Sequence, residues 1–287
     1  MADNRGNQKD RNDLMGAGAP GVVLSLSGVT KRFGGLVAVD TVSFDVREHD
    51  VYGLIGPNGA GKTTIFNLIT GIYSLSEGSI SFYGKSLAGL KPFQVATAGI
   101  SRTFQNIRLF KKLTVYENVR TACHRDADYN LLHTLLRLRM PGPLGKFAAQ
   151  ESHLHKKTEE LLELLGLSEY RDMTASNLPY GLQRKLEIAR ALALNPRLLL
   201  LDEPAAGMNP EETQQLMKLV LDIRAKFDLT VLIIEHHMDL IMGICNRIFV
   251  LNFGKPLAEG TPDEVQNNEH VIEAYLGKEG GDDAEGQ

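Results

Sequence analysis

The chain has 287 residues, of which 43% are hydrophobic and 23% charged, with a formal net charge of −4. These values are ordinary for a globular protein, and an isoelectric point near 6.1 gives no support for a nucleic-acid partner. The two cysteines do not make a disulfide framework, so we expect a reducing compartment. The sequence has neither a signal-peptide pattern nor an apolar run of roughly 18 residues, so we expect it to reach a membrane only through partners.

The first part of the chain predicts strands joined by glycine-rich turns. Residues 1–20 are polar and mixed in charge, which predicts a disordered arm. Alternating or apolar runs then predict strands at Val22–Ser27, Val42–Val46, Val51–Ile55, Gly78–Gly84 and Ile100–Phe104. A short helix is predicted from Pro92 to Ala98.

A glycine-rich loop follows the run Val51–Ile55 and leads into a helical pattern with Ile65, Leu68 and Ile69 on one side. Glycines let backbone N–H groups turn toward an anion, and the helix directs its positive end to the same place. A lysine there reaches the β- and γ-phosphates, and a hydroxyl binds Mg²⁺. A plain glycine turn is the alternative, which the complete spacing and both flanks disfavour. The predicted phosphate-binding residues are Gly56, Pro57, Asn58, Gly59, Ala60, Gly61, Lys62, Thr63 and Thr64.

The second part of the chain becomes helical and then returns to an α/β pattern. Residues 106–178 are predicted to be a helical insert, whose least regular part contains Pro141 and Pro143. Beyond it we predict helices at Gln183–Leu194, from Pro210 and from Thr261, and buried strands at Leu198–Leu201, Val231–Ile234 and Ile248–Leu251. The architecture predicted from the pattern is a P-loop α/β core interrupted by a helical insert.

Two carboxylates, Asp202 and Glu203, come directly after the leucine run Leu198–Leu201. Ligands of open α/β sheets bind at the carboxyl ends of the strands. An aspartate at that edge can hold magnesium through water, and the next carboxylate can accept a proton from the water that attacks a γ-phosphate. A solvated pair of loop acids is the alternative, which the apolar strand and the phosphate loop disfavour.

Two further polar residues follow predicted strands. His236 comes after Val231–Ile234, and we predict that it contacts the γ-phosphate, although a lone histidine is more often structural or exposed. Its neighbour His237 is predicted to be a surface group. Gln105, at the end of Ile100–Phe104, can bind magnesium or orient water through its amide oxygen.

Together these motifs resemble the ATP-binding cassette (ABC) ATPases, from about Val22 to Gly277. GPNGAGKT resembles the Walker A motif, LLLLDE resembles Walker B, Gln105 matches the Q-loop and His236 the switch histidine. Phe33, in KRFGG, matches the aromatic residue that stacks on adenine, and residues 205–209 lie where the D-loop is expected. The resemblance implies a P-loop NTPase core with an antiparallel β subdomain and an inserted helical subdomain, and it implies ATP and Mg²⁺ as cofactors.

The resemblance also implies a role for each matched residue. Phe33 would hold the base, while Lys62, Gln105, Glu203 and His236 would be catalytic. The magnesium ion would be held by Thr63, Gln105 and Asp202. A binding module with an inactive site is disfavoured, because every one of these chemical groups is present.

A narrower match is to the ATP-binding subunits of branched-chain amino acid importers. It is carried by SRTFQNIRLFKKLTVYENV at residues 101–119, by LEIARAL and LDEPAAGMNP, and by the ending VIEAYLG. This match implies a hetero- or homodimer with a second ABC ATPase subunit, two membrane permease subunits and, indirectly, a periplasmic substrate-binding protein. The chain would then lie peripherally on the cytoplasmic face of the inner membrane. Urea and short-amide importers use very similar ATPases and are the alternative.

One motif departs from the family. The signature, usually LSGGQ, contacts ATP held by the partner ATPase, and here it consists of Leu178, Pro179, Tyr180, Gly181 and Leu182. The serine hydroxyl is absent, and a proline has no backbone N–H. The two ATP sites of the pair are therefore predicted to be unequal, unless the helix N-terminus and the Gly181 N–H suffice.

These matches set the expected organisation of the chain. We expect a disordered arm at 1–20, a core at 21–105 and 179–277, the insert at 106–178 and a flexible tail at 278–287. Soluble ABC proteins that act on ribosomes or DNA are the rival class. They usually carry two cassettes or coiled-coil arms, whereas this sequence has one phosphate loop and no heptad run.

Overall fold

The computed structural model describes residues 21–124 and 144–276. The predicted arm at 1–20 and the predicted tail at 278–287 lie outside the described residues, as does much of the irregular part of the insert. Among the helices of the described ranges, none combines the length and the apolar composition that crossing a bilayer requires.

Backbone contacts divide the chain into two compact units. Of the described residues, the first unit contains 21–102 and 197–276, and the second contains 103–124 and 144–196. The expected core and insert divide differently at their second boundary, which was placed before Pro179. The helix that follows Pro179 falls in the second unit because its buried face packs on the other helices there.

The strands of the first unit form two sheets. Within the described residues they are β1 (Val22–Phe33), β2 (Leu36–Arg47), β3 (Val51–Ile55), β4 (Glu77–Phe82), β5 (Lys85–Ser86), β6 (Ile100–Arg102), β7 (Leu198–Asp202), β8 (Thr230–Ile234), β9 (Arg247–Asn252) and β10 (Lys255–Gly260). One sheet is antiparallel, in the order β2-β1-β4-β5. The other has the order β10-β9-β3-β8-β7-β6 and is parallel except for β10.

Burial explains why these runs form these strands. Every residue of β3, β7 and β8 is buried, as expected for central parallel strands that are covered on both faces. β2 instead alternates between buried and exposed residues along its second half, which is typical of a sheet with one face on a core. The two sheets share one hydrophobic core, in which Phe44 of β2 stacks on Tyr52 of β3 at 5.4 Å between ring centroids.

Helices connect the strands of the first unit and make up most of the second. In chain order the described helices are α1 (Lys62–Ile69), α2 (Pro92–Ala98), α3 (Val115–Cys123), α4 (Leu144–Leu164), α5 (Tyr180–Leu192), α6 (Pro210–Phe227), α7 (Met238–Ile244), α8 (Pro262–Gln266) and α9 (Glu269–Leu276). The predicted starts of α6 and α8 are confirmed, because Asn209 and Thr261 each form a capping box with a proline at the first helical position. The α/β class, with an antiparallel β subdomain and an inserted helical subdomain, is confirmed.

In the second unit α3, α4 and α5 pack against one another. The segment before α3 is fixed by the buried amide of Asn118. That amide accepts a hydrogen bond from the Phe110 N–H at 3.0 Å and donates to the carbonyl oxygens of Phe110 and Thr114 at 3.1 and 2.9 Å. The loop between the first unit and α3 is therefore held from within the second unit rather than by a sheet.

Several predicted boundaries were wrong. The strand predicted to reach Phe104 ends at Arg102, because the pairing of β6 with β7 ends where Arg102 pairs with Leu200. Gln105 is therefore in a loop, not at a strand end. Strands β5 and β10 were not predicted, and helix α5 begins at Tyr180, three residues before its predicted start at Gln183.

Candidate functional site

Three neighbouring parallel strands bring the predicted phosphate loop and the two carboxylates to one edge of the sheet. Leu54 in β3 pairs with Ile234 in β8, and Ile234 pairs with Asp202 in β7. The residues that follow these strands therefore leave the sheet side by side. This register places the loop that starts at Gly56 beside the segment that contains Asp202 and Glu203.

The loop depends on two glycines that no other residue could replace. Gly56 has φ of 149°, and a Cβ atom there would lie 2.0 Å from the Leu251 carbonyl oxygen. Gly61 has φ of 102°, and its Cβ would lie 2.5 Å from the Ala38 carbonyl oxygen. A side chain at either position would push the loop off the ends of β2 and β9. The tight loop conformation is thus fixed by the sheet beneath it.

The loop and α1 form a cradle suited to an anion. The Lys62 ammonium is buried and donates to the carbonyl oxygens of Gly56 and Pro57 at 2.6 and 3.0 Å. Helix α1 begins after Gly61 without a side-chain cap and without an acidic residue in its first turn, so its positive end is not neutralised by its own residues. Thr63 is exposed at this end of the helix. This donor set fits the phosphates and the magnesium ion of ATP.

Asp202 is held at the sheet edge by a buried ion pair. Its Oδ2 atom accepts a hydrogen bond from Arg102 Nη2 at 2.7 Å, and both side chains are almost fully buried. Arg102 Nη1 donates to Asn67 Oδ1 in α1, also at 2.7 Å. Arg102, which sequence reasoning missed, therefore links the helix of the phosphate loop to the carboxylate predicted to hold magnesium.

Glu203 occupies an unusual backbone conformation. Its φ is 46°, in the left-handed region that few residues other than glycine adopt. Its N–H donates to the Ile234 carbonyl oxygen at 2.9 Å, which continues the pairing between β7 and β8 beyond their ends. Strained residues of this kind concentrate at functional sites, where the surrounding structure holds them. The half-buried side chain of Glu203 is thereby directed by a fixed backbone.

His236 is exposed at the end of β8, and its ring centroid lies 4.2 Å from that of His237. His237, which was predicted to be a surface group, is half-buried, and its Nδ1 lies 3.0 Å from Glu235 Oε2. Glu235, His236 and His237 bring one potential ligand atom each within 4.8 Å of one another. The Glu235 carboxylate is already engaged by N–H donors, so we do not propose a metal site there.

Phe33 lies at the turn between β1 and β2, and 41% of its surface is exposed. Its ring meets the ring of Tyr73 edge to face, with 5.1 Å between the centroids. The Lys31 ammonium lies 4.9 Å from the Phe33 centroid. An exposed aromatic ring that neighbours hold in one orientation is suited to stacking on a base.

Gln105 and the signature belong to the second unit, where one arginine binds both. The buried Arg184 of α5 donates to the carbonyl oxygens of Phe104 and Gln105 at 2.6 and 2.9 Å and to the Tyr180 hydroxyl at 3.0 Å. Arg184 also pairs with Glu187 Oε2 at 2.9 Å. The exposed Gln105 side chain therefore projects from a backbone that is tied to the signature helix.

The Glu187 carboxylate completes this clamp. It accepts hydrogen bonds from the N–H groups of Phe104 and Arg108 at 3.2 and 3.3 Å. Burial raises the pKa of Glu187, while Arg184 and the two N–H groups act in the opposite direction. Sequence reasoning missed both members of this pair, because the segment they bind lies about 80 residues away in the chain.

The signature residues open helix α5. Pro179 is the N-cap residue, with φ of −53°, and the helix has no side-chain cap and no acidic residue in its first turn. Leu178 is buried, and its carbonyl oxygen accepts a hydrogen bond from Gln183 Nε2 at 2.8 Å. Tyr180 is exposed, and Gly181 and Leu182 are half-buried. The segment thus presents a helix N-terminus without the serine hydroxyl of the usual signature.

Near the C-terminus, Tyr275 of α9 lies against the first glycine of the phosphate loop. Burial raises the pKa of the Tyr275 hydroxyl to about 12, and the adjacent Gly56 N–H acts in the opposite direction. No signal in the sequence pointed to this contact, because a tyrosine in a short amphipathic helix is usually a core residue.

Family models and similar proteins all indicate the same family. The ABC transporter family model matches residues 39–206, and a model described as the branched-chain amino acid ATP-binding cassette transporter matches residues 255–281. The chain is 46% identical over 256 residues to the high-affinity branched-chain amino acid transport ATP-binding protein LivG of Salmonella typhimurium, a match that covers 89% of this chain and 98% of that protein. The corresponding protein BraF of Pseudomonas aeruginosa is 45% identical, with the same coverage.

A solved structure agrees with these relatives. A nucleotide-free ATP-binding cassette from an ABC transporter superposes with a TM-score of 0.75 at 32% identity, covering 88% of this chain and 98% of that one. At this coverage the match includes residues of both compact units, with the strands of the first and the helices of the second. The chain belongs to the family of ATP-binding subunits of ABC transporters.

Proposed function

We propose that this chain is the ATP-hydrolysing subunit of an importer for branched-chain amino acids. The observation that carries the proposal is the meeting of the phosphate loop, Asp202 and Glu203 at one sheet edge. As a member of its family the chain is an ATPase of a transporter. The named relatives and the match at residues 255–281 support branched-chain amino acids as the substrate class.

Nucleotide binding is assigned to the loop and the aromatic residue of the first unit. Phe33 stacks on the base, and the backbone N–H groups of residues 56–64, with Lys62, bind the phosphates. Thr63, Gln105 and Asp202 are the proposed magnesium ligands, directly or through water. Bound Mg²⁺ neutralises charge on the β- and γ-phosphates. The ion pair with Arg102 keeps the Asp202 carboxylate in place at the sheet edge.

Hydrolysis is assigned to Glu203 and His236. The Glu203 carboxylate accepts a proton from the water molecule that attacks the γ-phosphorus, and the bond to the bridging oxygen breaks, releasing ADP and inorganic phosphate. His236 contacts the γ-phosphate from the neighbouring strand. General-base catalysis of this kind contributes about 10²–10⁴-fold in rate.

Transport requires an assembly in which ATP lies between two cassettes. We propose a hetero- or homodimer with a second ABC ATPase subunit, in which residues 178–182 of each chain face the ATP of the other. Two membrane permeases and, indirectly, a periplasmic binding protein complete the importer, which places this chain on the cytoplasmic face of the inner membrane. The segment from Gln105 to Asn118 is the proposed permease contact, and its exposed Phe110 ring, 4.6 Å from the Arg190 guanidinium, supports this.

Uptake measurements test the proposal and its urea or short-amide alternative. Cells that lack this chain are supplied with the wild type or with Glu203→Gln, and uptake of labelled leucine, valine, urea and acetamide is measured. We expect leucine and valine uptake to depend on the wild type, with no rescue by Glu203→Gln although that variant still binds ATP. Restored leucine uptake with Glu203→Gln would remove Glu203 from its role, and dependence of only urea or acetamide uptake would overturn the substrate class.

A further inference from the structure

Glu235 is a fully buried carboxylate that the assigned chemistry does not use. It follows β8 directly and has 0% exposed surface. Burying a carboxylate costs free energy unless several donors compensate its charge. The hydrogen-bond partners of Glu235 therefore indicate its role. These partners lie on both of the loops that carry the proposed catalytic residues.

One oxygen of the carboxylate binds the loop after β7. The Ala205 N–H donates to Glu235 Oε1 at 2.7 Å, and both groups are buried. Ala205 is two residues beyond Glu203, whose own N–H donates to the Ile234 carbonyl oxygen at 2.9 Å. The backbone is therefore tied to the end of β8 at two points, at the left-handed residue Glu203 itself and two residues beyond it at Ala205.

The other oxygen binds the loop after β8. Glu235 Oε2 accepts hydrogen bonds from the N–H groups of His236 and His237 at 3.1 and 3.5 Å. It also lies 3.0 Å from His237 Nδ1. The side chain thus holds the His236 backbone and the neighbouring ring together.

We propose that Glu235 is a positioning residue that fixes Glu203 and His236 relative to each other. The proposal rests on the proposed function, since it takes these two residues as catalytic. A single rigid carboxylate crosslinks the two loops, so neither can shift without the other. Because a misplacement of about 1 Å can cost about 10²-fold in rate, loss of this crosslink acts on turnover rather than on ATP binding, which uses the separate phosphate loop.

The test compares Glu235→Gln with a matched control, Glu259→Gln. The amide keeps the shape of the side chain but places an NH₂ group against N–H donors. Glu259 accepts hydrogen bonds from Tyr52 and Arg247 at 3.0 and 3.3 Å, on residues at the opposite ends of β3 and β9 from the phosphate loop. For each purified full-length variant, the steady-state kcat for Mg-ATP, the ATP Kd and the melting temperature are measured, and kcat is corrected for the folded fraction.

We expect Glu235→Gln to lower kcat by about tenfold or more while the ATP Kd changes by less than about threefold, and Glu259→Gln to leave both near wild-type values. A smaller loss of kcat, or an equal loss of ATP binding, overturns the proposal. If Glu235→Gln does not fold, Glu235→Asp is judged by the same criteria, since the shorter side chain cannot reach both loops. If neither folds, Glu235 is a stability residue and the proposal fails.

The same preparations separate this inference from the proposed function. Glu203→Gln and His236→Ala are measured alongside. If both retain wild-type turnover, the assigned catalytic roles fail. If both lose turnover while Glu235→Gln behaves like Glu259→Gln, only the positioning role fails.

Discussion

The ion pair of Arg184 and Glu187 gives the sharpest stability prediction. In the second unit these side chains are 0% and 6% exposed, so water cannot replace their contacts. Replacing Arg184 with Met keeps most of the side-chain length but leaves the Glu187 charge buried without its counter-ion. The carbonyl oxygens of Phe104 and Gln105 also lose the hydrogen bonds that the Arg184 guanidinium donates. Removing one partner of a buried ion pair costs about 3–5 kcal/mol, so we expect Arg184→Met to lower the free energy of unfolding by about that much at neutral pH.

The pH dependence of this loss follows from the sign of the pKa shift. Burial already raises the pKa of Glu187, and removing Arg184 removes the main opposing charge, so the pKa rises further in the variant. A group whose pKa is raised in the folded state stabilises the fold below its unfolded pKa, and that stability is lost as pH rises through the folded pKa. The difference in the free energy of unfolding between wild type and Arg184→Met should therefore be smaller near about pH 5 than near about pH 7.5. At the lower pH, Glu187 of the variant takes up a proton and is no longer a buried unpaired charge.

Equilibrium urea unfolding followed by far-UV circular dichroism measures this, since the chain has no tryptophan. Lys156→Met is the matched control in the same unit, because it removes a pair with Glu160 whose side chains are 77% and 60% exposed. Exposed pairs of this kind contribute little, so the control should unfold like the wild type. The reasoning would be refuted if Arg184→Met lowered the free energy of unfolding by less than about 1 kcal/mol, or if its difference from the wild type were equal at both pH values.

The remaining predictions concern the base and the thiols. Phe33→Ala should weaken ATP binding by about fivefold or more, because stacking is worth about 1–3 kcal/mol, while turnover of bound ATP is kept. The control is Phe93→Ala, which removes an exposed ring on α2. An unchanged ATP Kd for Phe33→Ala would contradict the stacking role. Cys123 and Cys245 are both buried, and neither is in a disulfide. Burial also raises the pKa of Cys245 to about 12. At about pH 8 a disulfide reagent should therefore label neither thiol in the folded protein and both in urea. Rapid labelling of the native protein would show that these thiols are accessible.

The phosphate loop was predictable because its determinants are local. The run before Gly56, the glycines at fixed spacing and the helix from Lys62 lie within one stretch of chain, and each acts through its own backbone conformation. The apolar runs before Asp202 and Glu235 likewise predict buried strands from local sequence alone. Family resemblance then supplied the expected roles of these residues, which no spacing rule alone provides.

The partners of the buried charges were decided only by the tertiary structure. Arg102 and Asp202 are 100 positions apart, and Ala205 and Glu235 are 30 apart, so no local pattern pairs them. Sequence spacing shows that a polar residue follows a strand, but the order β3-β8-β7-β6 decides which strand lies beside it. The same is true of the clamp between α5 and the segment from Phe104 to Arg108. Local sequence determined the loop that can hold phosphate, whereas long-range packing decided which buried charges hold the catalytic groups, because a buried charge is stable only where the fold brings its partners to it.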